Sequence, residues 1–444
     1  IRSRHDAVAA LVDHDRLRAD LRDALGEVYD LERLLARVAT SRCHARDLVQ
    51  LAGSLQAARR IRDLLAAQST GLLAEAAARL AVDPALAQRI ASTLVDDPPL
   101  AVSDGGLVRD GVDPALDELR ALQKGAHQWL ADYQVKIARE SGIPKIKVGY
   151  NKVFGYYLEV TRAHGDKVPE AFVRKQTLVG AERYITPELK EFEDKVQHAE
   201  ERIHAIELAL FNALRDAAQA QLAPLLDCAR ALAEVDVIAG LAETARACQW
   251  CRPEIDDSLG LEFKACRHPV VETVVGRGQF VANDVRLDAE PSLGAAGPGR
   301  LQVITGPNMA GKSTYIRQAA LAVVLAQAGS FVPAASARLG VVDRLFTRVG
   351  AGDELARNLS TFMVEMAETA SILHHATRRS LVVLDEVGRG TSTFDGLSLA
   401  WAITEHLHDR LGCRCLFATH YHELTDLAED RPGVRNLTVA VAEQ

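Results

Sequence analysis

The chain has 444 residues, of which nearly half are apolar and a quarter are charged, and its net charge is −8. A chain of this length is expected to form roughly two to four domains, and its apolar fraction can supply large buried cores. The negative charge excludes nucleic-acid binding by bulk charge, so any such contact requires a local basic patch. Aromatic residues are scarce at 5%, and abundant Ala, Leu, Arg and Glu favour long helices.

Targeting and redox features are few. No apolar run approaches the roughly 20 residues of a membrane-spanning helix, and no signal peptide is visible. Seven cysteines favour reduced thiols in a cytosolic protein. Cys248 and Cys251 form a CxxC and Cys413 and Cys415 a CxC, but a zinc site needs four ligands, so we favour incidental thiols over a metal site. Because the sequence begins at Ile1 rather than Met, we expect a piece of a longer protein.

Residues 1 to about 140 are predicted to be helical. Apolar residues recur at steps of three and four, the period of one helix face, at Leu17, Leu21, Leu25, Val28, Leu31, Leu34, Leu35 and Val38. Proline and glycine pairs near residues 98 and 105 interrupt the pattern. A further helix is predicted from about Pro114 to Ser141.

Residues 143–187 differ in composition from the helices around them. The segment 147–160, KVGYNKVFGYYLEV, mixes aromatic, β-branched and glycine residues, which predicts a strand, a turn and a second strand. Between Lys145 and Arg183 there are eight Lys or Arg and four Asp or Glu. The segment is therefore locally positive within an acidic chain.

From residue 188 to residue 223 the sequence contains neither glycine nor proline. Apolar residues again follow a helical stripe, and one helix of about 36 residues would be roughly 54 Å long. Such a helix beside a small basic insert is typical of a long helical lever that carries a small β-rich insert at its end. A helical bundle with a hairpin on its surface explains the same pattern equally well.

From about residue 253 onward, short apolar runs alternate with helical stretches. The runs 301–305, 381–384 and 416–418 are each bounded by turn residues. This alternation predicts an α/β fold with a substantially parallel sheet.

Residues 306–314, GPNMAGKST, match the phosphate-binding pattern G-x-x-x-x-G-K-[ST]. A strand-like run precedes them and a helical run follows, which disfavours a chance match. Backbone N–H groups of such a loop surround phosphate oxygens. Lys312 would neutralise the β- and γ-phosphates, and the Ser313 hydroxyl would bind Mg²⁺.

Two further strand ends carry candidate catalytic residues. The apolar run 380–384 ends in Asp385 and Glu386, a Walker B pattern in which Asp385 holds the Mg²⁺ shell and Glu386 orients or deprotonates the attacking water. An acidic pair is weak evidence alone, and the phosphate-binding pattern upstream strengthens it. His420 follows the third strand, where it would sense the γ-phosphate. A lone histidine is otherwise a surface or satisfied core residue.

The segment 358–366, NLSTFMVEM, is predicted to open a helix. Ser360 is a favourable N-cap, and Met363 and Met366 would share one helix face. A capped helix with no further role is the alternative.

Four segments together resemble the ATPase domain of the MutS family of DNA mismatch repair proteins: GPNMAGKST, STFMVEM, LDEVGRGTSTFDG and FATHYHEL. Upstream, RHPVVE and FVAND are similar to the lead-in to that domain. VGYNKVFGYYLEVT and QTLVGAERYITPELKEFEDKV resemble the family's clamp and the helix that returns from it, and LERLLARVAT resembles its helical core. The resemblance covers essentially the whole chain.

The resemblance implies a multidomain fold with an all-α core and long lever helices, a small β-rich clamp insert and an α/β P-loop ATPase domain of the ABC type. It implies core and lever at residues 1–142, the DNA clamp insert at 143–187, the returning lever helix and core at 188–252 and the ATPase domain at 253–444. The family's mismatch-reading and connector domains and its C-terminal dimerisation part have no counterpart in the sequence. Asn358 stands where the family often has Gly, and Asn tolerates a left-handed backbone better than most residues.

The resemblance also implies ATP or ADP with Mg²⁺ as cofactors, and Lys312, Glu386 and His420 as catalytic residues. It implies a dimer in which Ser360 contacts the γ-phosphate bound by the second subunit, while residues 388–395 form a loop that crosses the dimer interface. The implied nucleotide-binding residues are Phe280, which would stack on the adenine, and Gly306, Pro307, Asn308, Met309, Ala310, Gly311, Lys312, Ser313 and Thr314.

A clamp of this family would grip DNA through its phosphates, with contacts that are sequence-independent and salt-sensitive. The candidate DNA-binding residues are Lys147, Asn151, Lys152, Arg174 and Lys175. The alternative for each lysine is a solvated surface charge.

The expected function is that of a DNA mismatch repair ATPase, which couples ATP binding and hydrolysis to movement of the clamp and levers. Expected partners are mismatched or looped double-stranded DNA, a second copy of the chain and a downstream repair ATPase, and we expect no membrane association. The expected location is the nucleoid-associated cytosol of a bacterium. The alternative is a family member that acts on branched or recombination DNA without mismatch reading. A transporter cassette is disfavoured because STFMVEM replaces an LSGGQ-type signature.

Overall fold

The computed structural model describes residues 1–67, 71–151, 155–276, 278–290, 297–307, 310–349, 361–389 and 391–440. The helices are α1 (Arg2–Val12), α2 (Asp15–Leu25), α3 (Leu31–Ala39), α4 (Ala45–Leu65), α5 (Gly71–Arg79), α6 (Pro84–Thr93), α7 (Pro114–Ser141), α8 (Pro187–Gln219), α9 (Leu222–Cys248), α10 (Pro269–Val275), α11 (Lys312–Ala328), α12 (Thr361–His375), α13 (Thr393–Glu405) and α14 (Leu427–Asp430). The strands are β1 (Lys147–Asn151), β2 (Gly155–Thr161), β3 (Val173–Thr177), β4 (Ala181–Ile185), β5 (Glu254–Asp256), β6 (Gly260–Cys266), β7 (Asn283–Asp288), β8 (Leu301–Thr305), β9 (Ser336–Gly340), β10 (Leu345–Arg348), β11 (Leu381–Asp385), β12 (Arg414–Ala418) and β13 (Val434–Thr438).

The chain divides into two compact units. The helical unit contains residues 24–63 and 77–232, and the sheet unit contains residues 1–23, 64–76 and 233–444.

The apolar stripe between residues 17 and 38 is divided between two helices, α2 and α3. Helix α2 ends at Leu25, and the Asp30 side chain accepts a hydrogen bond from Arg33 N at 3.0 Å to cap α3. Val28, predicted as part of the stripe, lies in the connection. The three- and four-residue steps continue across the break, so periodicity alone did not reveal it, whereas the capping Asp is a recognisable start signal.

The single helix predicted for residues 188–223 is wrong at its end, because α8 stops at Gln219 and α9 starts at Leu222. Pro224 lies in the first turn of α9, where its missing N–H costs nothing. In a continuous helix the proline ring would clash with the carbonyl of Ala220, four residues earlier, so the chain turns at that point. The helix predicted over Pro114–Ser141 is confirmed as α7.

In the helical unit, α7 and α8 pack side by side and carry the predicted β-rich insert at one end. The Trp129 ring of α7 stacks on Phe192 of α8 at 3.7 Å between ring centroids. The four strands pair antiparallel in the order β1-β2-β4-β3, which confirms the predicted strand pair and adds a second one. One face of this sheet packs its apolar side chains, Leu158 and Val160 among them, against Tyr133 of α7 and Leu189 of α8.

A buried ion pair links α7 and α8 further along the same unit. The Glu207 carboxylate has no exposed surface and lies 2.6 Å from the Arg120 guanidinium. It also accepts hydrogen bonds from Gly106 N at 2.9 and 3.1 Å. These bonds satisfy the charge, which would otherwise be costly to bury. This pair was not predicted from the sequence.

The sheet unit contains the predicted parallel sheet, with five strands in the order β10-β11-β12-β8-β13. A second sheet, β5-β9-β6-β7, was not predicted. Helix α11 lies between the two sheets, where Ile316 and Val323 pack with residues of both, while α12 and α13 cover the other face of the parallel sheet. The carboxyl ends of the parallel strands therefore meet at one edge, beside the start of α11.

Among the described residues, no helix has the length and apolar character to cross a membrane, and no group of His, Cys, Asp and Glu is arranged to hold a metal ion. Burial raises the pKa of Cys266 and of Cys413 to about 12. These thiols are therefore protonated and unreactive near neutral pH.

Candidate active site

The predicted phosphate-binding loop connects β8 to α11. Gly306 and Gly311 have φ angles of +137° and +96°, which favour glycine. Gly311 is the N-cap of α11 and contributes no capping side chain. The first N–H groups of a helix have no partner within it and are suited to an anion. Asn308 and Met309, predicted to bind nucleotide, lie outside the described residues.

The Lys312 ammonium group is held inside this loop. Its side chain starts at the first residue of α11, and the residue is only 5% exposed. Nζ donates hydrogen bonds to the carbonyl oxygens of Gly306 at 2.6 Å and Pro307 at 3.1 Å. A buried cation bonded to neutral carbonyls is well placed to exchange them for phosphate oxygens.

Two sequence motifs converge at the second residue of α11. The Ser313 hydroxyl donates a hydrogen bond to Oδ1 of Asp385, at the end of β11, across 3.0 Å. The Arg317 guanidinium lies 3.5 Å from the other carboxylate oxygen of Asp385. A hydroxyl and a carboxylate are oxygen donors of the kind that Mg²⁺ prefers. Arg317 was not among the residues predicted from the sequence.

Glu386 follows Asp385 with a φ of +57°, a left-handed conformation that is unusual for a side chain other than glycine. Its backbone N–H donates to the Ala418 carbonyl at 2.8 Å, which ties the end of β11 to the end of β12. Its carboxylate lies 2.6 Å from the Arg389 guanidinium. The Glu386 backbone is therefore fixed at the sheet edge, and its carboxylate is paired with Arg389.

His420 lies two residues beyond β12, near the same charges. Burial lowers the pKa of His420, the Arg389 and Lys312 charges lower it further, and Glu386 opposes them. Within the described chain, Nδ1 is buried without a hydrogen-bond partner. Lys312 and Glu386 therefore lie close enough to His420 for their charges to act on its pKa.

The loop after Glu386 is fixed by two residues that the sequence analysis did not single out. The Tyr421 hydroxyl donates to the Gly388 carbonyl at 3.1 Å. The Gly388 N–H donates to the Glu365 carboxylate, which α12 buries, at 2.7 Å. Tyr421 and Glu365 lie in motifs that the family resemblance is based on. That resemblance was the sequence signal that could have identified them. Ser360 and Gly390 lie outside the described residues.

A cleft of about 620 Å³ adjoins the phosphate-binding loop. Ala310, Gly311 and Thr314 line one side of it. Phe280, predicted to stack on the adenine, lines it with Val281 from the segment before β7. The cleft therefore joins the predicted phosphate and adenine positions.

The DNA-binding candidates are divided between the two edges of the four-stranded sheet. Lys147 is exposed on β1, and Arg174 and Lys175 are exposed on β3. Two strands lie between these edges, which separates them by roughly 14 Å. Arg174 lies 3.4 Å from Glu182. Asn151 ends β1.

Lys152, the remaining DNA-binding candidate, lies outside the described residues.

The fold and site define a multidomain protein of mixed helix and sheet, in which long helices carry a small sheet and a parallel sheet carries a candidate anion site. Residues 302–444 match the family model described as MutS domain V, and residues 111–202 match MutS family domain IV. The chain belongs to the MutS family, as the sequence predicted.

Proteins named DNA mismatch repair protein MutS are similar over the whole chain. The protein of Rhodopirellula baltica is 53% identical over 440 residues, which are 99% of this chain and 49% of that protein. The protein of Symbiobacterium thermophilum is 53% identical over 444 residues, 100% of this chain and 50% of that protein. The protein of Salinibacter ruber is 50% identical over 446 residues, with 100% and 48% covered. The chain spans about half the length of the curated relatives it matches.

Proposed function

We propose that the chain binds ATP with Mg²⁺ and hydrolyses it, as the ATPase part of a DNA mismatch repair protein. The observation that carries the proposal is the 3.0 Å contact between Ser313 and Asp385. It unites the two motifs that a magnesium-dependent nucleotide site requires, next to the buried ammonium group of Lys312.

Each residue then has a distinct task. The loop from Gly306 to Thr314 and the Lys312 ammonium hold the phosphates. Ser313 and Asp385 hold Mg²⁺, which neutralises charge on the phosphate oxygens when bound. Glu386 orients the attacking water and takes its proton, and His420 senses the γ-phosphate.

The partners are part of the same proposal. The sheet on α7 and α8 contacts DNA phosphates through Lys147, Arg174 and Lys175. A second copy of the chain supplies Ser360 to complete the site, ATP use drives movement of the levers and clamp, and a downstream repair ATPase receives the signal. The relatives are named for mismatch repair, which does not favour the alternative of action on branched DNA.

The test combines equilibrium binding of ATP with phosphate release, both with Mg²⁺. Lys312→Ala is expected to weaken ATP binding at least roughly tenfold, because a charge-assisted contact to phosphate is lost. Glu386→Gln is expected to retain ATP binding and lower turnover by about 100-fold, as loss of a positioned base does.

The matched control is Lys264→Ala. Lys264 is an exposed lysine on β6 of the same unit, so its loss should change neither measurement. Wild-type affinity for ATP in Lys312→Ala would refute the proposed site.

A further inference from the structure

Gln318 is a buried amide without a hydrogen-bond partner. It lies in α11 and has no exposed surface. Neither Nε2 nor Oε1 has a partner among the described residues. Leaving both polar atoms of a buried amide unpaired is costly, so such a group calls for an explanation.

The position of Gln318 points to a ligand. It lines the cleft that contains Phe280 and the start of α11. Side chains on a helix lean toward its N-terminus, which directs this amide over the turn of Thr314 and Tyr315. Both of those residues line the same cleft.

Two other polar side chains of the cleft are hydrogen-bonded to the protein backbone. The Tyr315 hydroxyl donates to the Asp284 carbonyl at 3.1 Å. The Asn283 amide donates to the Val281 carbonyl at 2.9 Å. Among the residues that the structure describes, the Gln318 amide lines the same cleft with its donor and its acceptor both buried and unpaired.

Gln327 provides a comparison on the same helix. Its Nε2 donates to the Val342 carbonyl at 2.9 Å, and its Oε1 accepts from the Val342 N–H at 2.6 Å. One glutamine of α11 is thus paired with the backbone on both sides, whereas Gln318 faces the cleft.

We propose that the Gln318 amide pairs with the adenine of the bound nucleotide and selects it over guanine. The inference rests on the proposed ATP site. An amide offers one donor and one acceptor, and adenine presents an amino donor next to a ring-nitrogen acceptor. On the edge that carries N7, adenine presents this donor–acceptor pair, whereas guanine presents two acceptors, N7 and O6, which would leave the amide half-paired.

The experiment measures binding of ATP, GTP, purine riboside triphosphate and inorganic tripolyphosphate to the wild-type chain and to Gln318→Met. The wild-type chain should prefer ATP to GTP, and to the analogue without the amino donor, by about tenfold. Gln318→Met should lose about tenfold in affinity for ATP and show little preference among the purines. Tripolyphosphate should bind both proteins equally, because it has no base.

Gln327→Met is the matched control. It should keep the wild-type preference for ATP but unfold at a lower temperature, because it loses two protein hydrogen bonds. Gln318→Met without ligand should unfold no earlier than the wild-type chain, because it loses none.

Wild-type preference for ATP in folded Gln318→Met would overturn the inference. An equal loss for ATP and GTP would also overturn it, since that result indicates a contact to the sugar. If the wild-type chain bound tripolyphosphate and showed no preference among the nucleotides, adenine selection would be refuted, but the proposed phosphate site would be retained. If it bound neither ATP nor tripolyphosphate, the proposed function would fail as well.

Discussion

His420 is a neutral imidazole held among charged groups, and its titration is the residue-scale test of the site. Burial is the largest cause of its lowered pKa, and the Arg389 guanidinium is the next. The folded chain therefore resists protonating this ring more than the unfolded chain does. Between the lowered pKa and the ordinary value of about 6.5, the unfolded state binds more protons, so the contribution of His420 to folding stability rises with pH through that window.

We expect the His420 ring to titrate below pH 6.5 in an NMR pH series. Arg389→Ala should raise its midpoint, because a positive charge near the ring is removed. Arg338→Ala is the control, since Arg338 is an exposed arginine of β9 paired with Asp256 at 2.8 Å. A midpoint that does not move in Arg389→Ala would contradict the charge arrangement described for the site.

At the scale of elements, the start of α13 packs tightly against the loop that follows Glu386. A Cβ on Gly396 would overlap the Tyr421 hydroxyl oxygen and the Gly388 carbonyl oxygen. Gly396→Ala should therefore destabilise the chain by about 2 kcal/mol, as overpacking does. It should also lower ATP turnover, because it would displace Gly388 in the loop that follows Glu386 (the Gly388 loop). Denaturant unfolding and phosphate release measure the two effects.

Gly240→Ala is the matched substitution. Gly240 lies inside α9 of the same unit, and an added Cβ there meets nothing within 4 Å. This variant should be more stable by about 0.5–1 kcal/mol, because alanine suits a helix better than glycine. Equal effects of the two substitutions would show that α13 and the Gly388 loop are not packed as described.

The sequence predicted those elements whose local signals agree with their packing. The parallel strands at 301–305 and 381–384 are apolar on both faces because helices cover both, and α7 has a capping Asp113 followed by Pro114. Pro224 and the capping residue Asp30 were local signals for the two helix breaks. The three- and four-residue spacing of apolar residues continues through both breaks, so it did not indicate them. The strands of the second sheet, such as β9, depend on pairing between residues distant in sequence, and no local pattern identifies them.

In the candidate site, too, some residues have local sequence signals and others depend on contacts between distant parts of the chain. Lys312 and Ser313 were predicted from the phosphate-binding pattern, and Asp385 was predicted because it ends an apolar strand downstream of that pattern. Glu365 and Gln318 look like ordinary helix residues in the sequence. Their importance arises from the tertiary fold, which buries one carboxylate against the Gly388 N–H and leaves one amide facing a cleft. No sequence motif or residue spacing predicts either of these two arrangements.

At the scale of the whole molecule, the DNA binding proposed for this acidic chain requires a local basic surface. Salt dependence tests whether the four-stranded sheet is that surface. Each lost phosphate contact should reduce the slope of log affinity against log salt by about 0.9. We expect this from Lys147→Ala and from Lys175→Ala, at opposite edges of the sheet, and equally on matched and mismatched duplexes, because phosphates carry no sequence information. Lys136→Ala is the control, since Lys136 is paired with Glu188 at 2.8 Å on the helices below. An unchanged salt slope in both sheet variants, as in the control, would show that DNA binds elsewhere. The basic residues at the two edges of the sheet would then have no role in DNA binding.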